Sequence, residues 1–333
     1  MSPFSCFLFL ILLPVNVILI AQTMMTTAFQ KEQIPKALGW RMPAEWELHE
    51  ATWLAWPTDV ETWPNEMPQV EAIYVQIVRE LHQGEEVHIL VEDEVHEERV
   101  AKQLKSDGVE EHVFFHSVKT ASNWIRDYGP LFLVGTGGEI AICHWRFNAW
   151  GRKYKSDEQD AHVAQALTQE MGWVRFQPEM VLEGGAIEVN GSGLLMATEQ
   201  CLFHPNRNPH LGRRGIERYL QNFLGVERFI WLCGGISGDD TDGHVDTVAR
   251  FVGPKMIVAC LEDDESDGNF RALKRNWHRL ERARSEGREA FDLIALPMPG
   301  RVQHGASRLP ASYANFYIGN CTVLVPTYGH PND

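Results

Sequence analysis

Short apolar strands alternate with amphipathic helices along this 333-residue chain, and this alternation is what most constrains its fold. Within residues 67–82 the apolar side chains recur every three or four positions, which is the period of a helix with one buried face. Residues 87–91 form an apolar run of strand length, residues 95–104 a second amphipathic segment and residues 113–116 a second strand. Strands that alternate with helices in this way predict an α/β fold.

Glycine-rich turns predict β-hairpins around residues 135–138 and 190–193, because glycine adopts the positive φ angles that tight turns require. Hairpins and helices recur along the chain, which suggests a repeated unit. No stretch rich in Pro, Gly or Ser divides the chain, so we predict one domain over residues 35–333. The other predicted helices are 157–171, 213–223 and 270–286, and the other predicted strands are 131–134, 140–147, 181–189, 194–198, 229–232, 247–252 and 256–260.

The formal net charge of −15 disfavours nucleic-acid binding and suits a cationic small molecule. The six cysteines form neither a Cys-x-x-Cys pair nor a Cys/His spacing typical of zinc sites. We therefore expect buried free thiols, no metal and no cofactor.

The first 23 residues contain a nearly continuous apolar run that resembles the hydrophobic region of a signal peptide. No Lys or Arg precedes the run, and Met24 and Met25 follow it, so a leader that is not translated is the other interpretation. Because the run contains Pro14 and falls short of the roughly 20 residues that span a bilayer, we expect no stable membrane span. We favour a cytoplasmic protein, with export as the alternative if residues 1–23 are a signal peptide.

Polar clusters at strand ends and turns supply the candidate functional groups, since scaffolds place binding and catalytic side chains there. One cluster combines four acids with His244. Between Asp240 and Asp246 every second residue is an acid or His244, so an extended segment would point these side chains to one side. A calcium-binding loop that begins at Asp240 would need Gly at its sixth position, where Val245 stands, so we do not expect a metal here.

Two further acids stand at the edges of apolar segments. Asp127 follows Arg126 in a turn and by itself is typical of a surface carboxylate with a local arginine partner. Glu183 stands between an apolar strand and two glycines. Together with His244 and Asp246 they supply three carboxylates and one imidazole, which can hold a planar cation and shuttle protons. His244 alone is equally consistent with a structural histidine held by carboxylates.

Several motifs follow one another in order along the chain. They are Met42-Pro43-Ala44-Glu45-Trp46, Trp53-Leu54-Ala55-Trp56-Pro57, Ile125-Arg126-Asp127-Tyr128-Gly129-Pro130, Leu182-Glu183-Gly184-Gly185, Asn206-Arg207-Asn208-Pro209, Thr241-Asp242-Gly243-His244-Val245-Asp246 and Tyr313-Ala314-Asn315-Phe316-Tyr317. From about residue 36 to the last residue, the chain thus resembles the agmatine deiminase and bacterial peptidylarginine deiminase family of the guanidine-modifying superfamily. The resemblance implies a five-bladed, pseudo-symmetric α/β-propeller, the pentein fold, and a catalytic domain truncated at its C-terminus.

The resemblance also implies roles for the four charged residues. Asp127 and Asp246 are expected to clasp the guanidinium group of a substrate. His244 is expected to act as general acid and base, oriented by Glu183. In the family a cysteine thiolate attacks the guanidinium carbon and forms a thiouronium intermediate, which water then hydrolyses.

Three more positions take their interpretation from the resemblance. Trp124 is expected beside the substrate, with a core tryptophan as the alternative. Asn315 is expected in the substrate site, with a turn-stabilising asparagine as the alternative. The family's nucleophile lies in a G-x-x-H-C segment that is not present in this chain. Cys321 matches an upstream strand where a small buried residue is expected, and we do not predict that it replaces the nucleophile.

Agmatine is the favoured substrate, hydrolysed to N-carbamoylputrescine and ammonia in putrescine biosynthesis and polyamine metabolism. Peptidyl-arginine, converted to citrulline, and free arginine-like guanidines are the alternatives. An amidinotransferase and a guanidine-binding protein without a nucleophile are the other classes. We expect a small-molecule partner and no nucleic acid, and leave a homo-oligomer open.

Overall fold

Small three-stranded sheets are the units of this fold, in a computed structural model that describes residues 34–286 and 291–333. Those ranges contain four such sheets and two two-stranded hairpins. The mixed α/β fold expected from the sequence is confirmed. None of the described helices is long and apolar enough to cross a membrane. The predicted leader, residues 1–23, lies outside the described residues.

Strands and helices are numbered in chain order. The strands are β1 (Ala51–Ala55), β2 (Glu86–Val91), β3 (Val113–Ser117), β4 (Leu131–Val134), β5 (Ile140–Cys143), β6 (Val174–Phe176), β7 (Ile187–Val189), β8 (Leu194–Thr198), β9 (Arg228–Leu232), β10 (Ala249–Gly253), β11 (Met256–Leu261), β12 (Asp292–Pro297), β13 (Gln303–His304), β14 (Ser307–Arg308), β15 (Tyr317–Ile318) and β16 (Val323–Leu324). The helices are α1 (Met67–Leu81), α2 (Glu94–Ser106), α3 (Ile125–Tyr128), α4 (Val163–Met171), α5 (Glu199–Leu202), α6 (Arg213–Leu224) and α7 (Phe270–Glu286).

Three of the sheets repeat one order, in which a hairpin is followed by a helix and by a third strand parallel to the second. Strands β4 and β5 are antiparallel across the first glycine turn, and β6 lies parallel to β5. The sheets β7-β8-β9 and β10-β11-β12 have the same arrangement. Both predicted hairpins are thereby confirmed. In the first sheet β1, β2 and β3 are all parallel, with α1 and α2 as the crossovers.

Three segments differ from the sequence prediction. The predicted strand 140–147 is extended only at Ile140–Cys143. The predicted strand 181–189 is extended only at Ile187–Val189, because its first half turns through the 3-10 helix Gly184–Ala186. The predicted helix 157–171 is a 3-10 helix, Ser156–His162, followed by α4. Sequence periodicity indicates the type of a segment better than its ends, because the ends depend on tertiary contacts.

The first sheet shows how the apolar pattern becomes a core. Strand β2 is buried along its length from Val87 onwards, as expected for a central parallel strand with helices on its faces. Helix α1 packs Val78 and Leu81 into the same apolar cluster. Ile73 also belongs to the predicted apolar face but is 55% exposed, so the buried stripe is narrower than the sequence indicates.

A polar contact joins the segment of β15 and β16 to the first sheet, across more than 200 residues of sequence. The Asn320 side chain accepts a hydrogen bond from the backbone N–H of His49 at 2.8 Å. Its amide donates to the carbonyl oxygens of His49 at 2.8 Å and Gly84 at 3.0 Å. The backbone N–H of Asn320 donates to the buried Glu85 carboxylate at 2.7 Å. One asparagine side chain therefore satisfies backbone polar groups of His49, just before β1, and of Gly84, just before β2.

We expect Asn320→Ala to lower the free energy of unfolding by roughly 2–4 kcal/mol, because three hydrogen bonds are lost and their backbone partners stay half-buried. Urea denaturation followed by circular dichroism measures this change. The exposed Asn65 provides the control, since Asn65→Ala should change stability by less than about 0.5 kcal/mol. Equal denaturation midpoints for the two variants would contradict the assigned role of Asn320.

Candidate active site

Three charged side chains from two sequence motifs meet over the bare backbone of Gly185. A β-carbon built on Gly185 would lie 2.6 Å from Asp246 Oδ2, 2.6 Å from His244 Nδ1 and 2.8 Å from Asp127 Oδ1. The three groups therefore surround one point, and only a residue without a side chain leaves that point open. Asp127, His244 and Asp246 are brought together from segments more than 100 residues apart in sequence.

Asp127 lies on the single turn of α3 and is held by two N–H donors. The backbone N–H of Gly185 donates to Asp127 Oδ1 at 2.9 Å, and the indole N–H of Trp150 donates to Oδ2 at 2.8 Å. His244 Nδ1 lies 3.6 Å from Asp127 Oδ1. Each Asp127 carboxylate oxygen thus accepts one hydrogen bond from the protein and can accept another from a ligand.

The loop before His244 is not extended, so the expectation that its alternating acids share one side is wrong. Asp242 and Gly243 have φ angles of 67° and 92°, and Val245–Thr247 forms a 3-10 helix. Asp242 binds Arg207 and Lys153 at 2.7 Å each. Asp240 accepts a hydrogen bond from the hydroxyl of Tyr154. Of the alternating residues, only His244 and Asp246 face Gly185.

Glu183 is fully buried and is paired with Arg207, whose side chain is also fully buried. Arg207 Nε lies 2.9 Å from both carboxylate oxygens of Glu183. The other guanidinium nitrogens reach Asp242 Oδ2 at 2.7 Å and the carbonyl of Thr241 at 2.8 Å. Arg207 stood in a sequence motif without an assigned role. The only sequence signal for the contact of Arg207 with Glu183 and the Thr241–Asp242 loop was the polar Asn206-Arg207-Asn208 run.

The electrostatic environment separates the roles of the imidazole and the carboxylate beside it. Burial acts to lower the pKa of His244, but the Asp127 carboxylate, the adjacent Cys201 and Asp246 together outweigh burial and raise that pKa well above its usual value. Burial raises the pKa of Asp246 to about 6, although the charge of His244 acts in the opposite direction. The groups around His244 therefore favour its protonated form, whereas burial disfavours the ionised form of Asp246.

An ion network that is buried except at Arg126 adjoins the site. Arg126 binds Glu45 at 2.6 Å, so the alternative interpretation of Asp127 as a surface carboxylate with a local arginine partner does not hold. Arg250 contacts Glu45 at 2.6 Å and Glu188 at 3.0 Å. Burial acts to raise the pKa of Glu45, but the two arginines outweigh it and lower that pKa to about 2. No local pattern in the sequence indicated a role for Glu45, Arg250 or Glu188, because these residues come together from distant parts of the chain.

The other two predicted substrate residues lie differently. Trp124 is 47% exposed, with its ring centroid 6.5 Å from that of Trp63, so it is not a core tryptophan. Asn315 is exposed, and its backbone N–H donates to the carbonyl of Ser312 at 3.4 Å. Neither side chain provides one of the three atoms nearest the open point above Gly185.

The cysteines differ in their surroundings. Cys143, Cys201 and Cys260 are buried free thiols as expected, whereas Cys321 is exposed in the turn after β15, so the expectation of a buried residue there is wrong. Among the described residues, the Cys201 thiol joins Glu183 and His244 in a group whose polar atoms lie within 4.8 Å of one another. Glu183 is already paired with the buried Arg207 guanidinium, and this positive charge opposes a metal cation in the group.

Comparison with known proteins places this chain in a known family. Residues 41–333 match the model of the Porphyromonas-type peptidyl-arginine deiminase family. The chain belongs to this family. It is 32% identical over 322 residues to the agmatine deiminase of Pseudomonas aeruginosa (strain LESB58), covering 90% of this chain and 86% of that protein.

Solved structures of family members share the fold. The agmatine deiminase of Enterococcus faecalis superposes with a TM-score of 0.82 at 31% identity, over 90% of this chain and 87% of that chain. A C. jejuni agmatine deiminase with substrate bound gives a TM-score of 0.77 at 31% identity, over 88% of this chain and 84% of that chain.

We expect Arg207→Met to lower the free energy of unfolding by about 3–5 kcal/mol, because it leaves the buried Glu183 carboxylate without its cation. Chemical denaturation measures this loss. Arg214→Met on the exposed face of α6 is the control and should cost less than about 0.5 kcal/mol. If both variants are equally stable, the pair does not hold the site together.

Proposed function

We propose that this protein hydrolyses agmatine to N-carbamoylputrescine and ammonia. The observation that carries the proposal is the convergence of Asp127, His244 and Asp246 on one open point above Gly185. A guanidinium group is planar and cationic, and two carboxylates can accept its N–H groups in pairs. The names of the P. aeruginosa and E. faecalis relatives support agmatine as the guanidine.

The chemistry assigns one task to each group. A cysteine thiolate attacks the guanidinium carbon while Asp127 and Asp246 hold the substrate as the cation, which keeps that carbon electrophilic. The protonated His244 donates a proton to the departing ammonia as the carbon–nitrogen bond breaks. The neutral imidazole then takes a proton from water, which attacks the same carbon and releases the thiolate and the ureido product. Glu183, fixed by Arg207, orients the imidazole.

The thiolate is the one group that these four residues do not supply. The family resemblance implies that this role belongs to the cysteine of a G-x-x-H-C segment, which residues 1–333 do not contain. Cys201 is a poor candidate, because it is fully buried and burial raises the pKa of its thiol.

The finer fold assignment is part of the same proposal. We infer a five-bladed α/β-propeller in which the three sheets of hairpin, helix and parallel strand are three blades. The first sheet would be a fourth blade, and the hairpin of β15 and β16 would begin the fifth.

We place the protein in the cytoplasm, because its described cysteines are free and a reducing compartment suits them.

The decisive experiment measures ammonia release by the full product of the gene, including any residues encoded beyond Asp333. Agmatine, free arginine and an arginine-containing peptide are compared. Release from agmatine is the expected result, whereas release from the peptide alone would favour peptidyl-arginine deimination, as the family's description suggests. Calorimetric binding of agmatine without ammonia release would instead favour a guanidine-binding protein. If the protein neither binds agmatine nor releases ammonia from it, the proposal is overturned.

Filling the open point tests the geometry directly. We expect Gly185→Ala to weaken agmatine binding by about 1–3 kcal/mol, because the new methyl group would overlap the three charged side chains. Isothermal titration calorimetry measures this loss. Gly212→Ala is the control, since nothing lies within 4 Å of a β-carbon on Gly212. Unchanged affinity in Gly185→Ala would show that the ligand does not bind at this point.

The pH dependence of binding tests the role of Asp246, whose pKa is raised to about 6. Below that pH the carboxyl is protonated and does not attract a cation, so agmatine affinity should rise with pH through 6 and level off above 7. The rise should approach tenfold per pH unit below the pKa if one proton is displaced. Asp246→Asn should weaken binding by about 1–3 kcal/mol and flatten this dependence. A variant that retains the wild-type pH profile would exclude Asp246 as its origin.

A further inference from the structure

Four consecutive residues next to the site adopt the left-handed backbone conformation. The φ angles of Ala149, Trp150, Gly151 and Arg152 are 51°, 52°, 83° and 66°. Three of the four carry a β-carbon, and each such residue costs roughly 1–2 kcal/mol in this conformation. Strain of this kind persists only where the surrounding contacts determine it, and it concentrates at functional sites.

The turn is held in place by the surroundings of the active site. The side chain of Asn148 accepts a hydrogen bond from the backbone N–H of Gly151 at 3.0 Å and donates to the carbonyl of Asn206 at 3.0 Å. A β-carbon on Gly151 would collide with the Asn206 amide, so the two segments lie in direct contact. After the turn, Lys153 binds Asp242 at 2.7 Å. The strained backbone is thus fixed from both ends.

The consequence of the turn is the direction of one side chain. Trp150 is 5% exposed, packs edge-on against Phe147 with a centroid separation of 5.1 Å, and donates its indole N–H to Asp127 Oδ2. The other oxygen of Asp127 accepts the Gly185 N–H. Two donors on different oxygens fix both the rotamer and the plane of the carboxylate. One acceptor position on each oxygen then stays free for a paired contact with a guanidinium group.

We propose that Trp150 is a positioning residue for guanidinium binding, which holds the Asp127 carboxylate in the binding orientation through its indole N–H. This inference rests on the proposed function, since it concerns the same site. It explains why a strained turn is maintained there. The strained turn holds the Asp127 carboxylate in one orientation, whereas a carboxylate without this contact would rotate and be hydrated.

The test measures agmatine affinity by calorimetry in wild type, Trp150→Phe and Trp145→Phe. Trp145 is the matched control, because it is also 5% exposed and packs edge-on against a phenylalanine, but its indole nitrogen has no hydrogen-bond partner among the described residues. We expect Trp150→Phe to raise the Kd for agmatine about 3- to 10-fold, the cost of ordering one freed side chain on binding. Trp145→Phe should leave the Kd within about twofold of wild type.

A double-mutant cycle separates positioning from general loosening. In an Asp127→Asn background, Trp150→Phe should have less than half of its effect on ln Kd, because the oriented charge is gone. Independently, one indole N–H resonance in an indole-labelled wild-type protein should shift when agmatine saturates the site, and the same resonance should be displaced in Asp127→Asn. This measurement does not require Trp150→Phe to fold.

The outcomes distinguish the inference from the function on which it rests. If wild type does not bind agmatine, the proposed function fails. If wild type binds agmatine but Trp150→Phe matches Trp145→Phe, or its effect is undiminished in Asp127→Asn, the inference is overturned. If no indole resonance responds to Asp127→Asn, the inference is overturned as well, whatever the stability of Trp150→Phe.

Discussion

The contact between Arg207 and Glu183 is the interaction on which the site depends. Both side chains are fully buried, and the same guanidinium also holds Asp242 and the carbonyl of Thr241 in the loop that leads to His244. One cation therefore joins three segments that are distant in sequence. Removing it would leave carboxylates in a low-dielectric interior, where an unpaired charge is costly. The Glu183 carboxylate lies in the same buried group as the His244 imidazole, with their polar atoms within 4.8 Å of one another.

A site for a cation must hold negative charges close together while it is empty, and the surrounding charges make this tolerable. The Asp127 carboxylate accepts two N–H groups and faces a protonated imidazole. Asp246 receives less compensation, and burial raises its pKa to about 6. Arg126 and Arg250 both bind the Glu45 carboxylate, and Arg250 also contacts Glu188, so both arginines are poor competitors for the guanidinium site. Under the proposed function, this arrangement of charges suits a ligand that brings its own positive charge.

Backbone conformation contributes as much as charge does. Gly185 leaves open the point that the three side chains surround, and the left-handed turn at Trp150 directs an indole N–H at Asp127. Both features rest on residues that a list of charged groups would omit. A carboxylate that is held in its binding orientation loses less entropy when the substrate binds, which is the advantage of a rigid site.

The sequence by itself determined the alternation of strands and helices, both hairpins and the family, because these follow from local periodicity, glycine turns and ordered motifs. It also indicated Asp127, Glu183, His244 and Asp246 through their chemistry. Only the tertiary structure decided which groups face the site. Asp240 and Asp242 alternate with His244 in sequence but bind elsewhere, since the loop turns at Asp242. The partners Arg207, Trp150 and Glu45 were equally hidden. Glu45 meets Arg250 across 205 residues, and no local pattern encodes a contact over that distance.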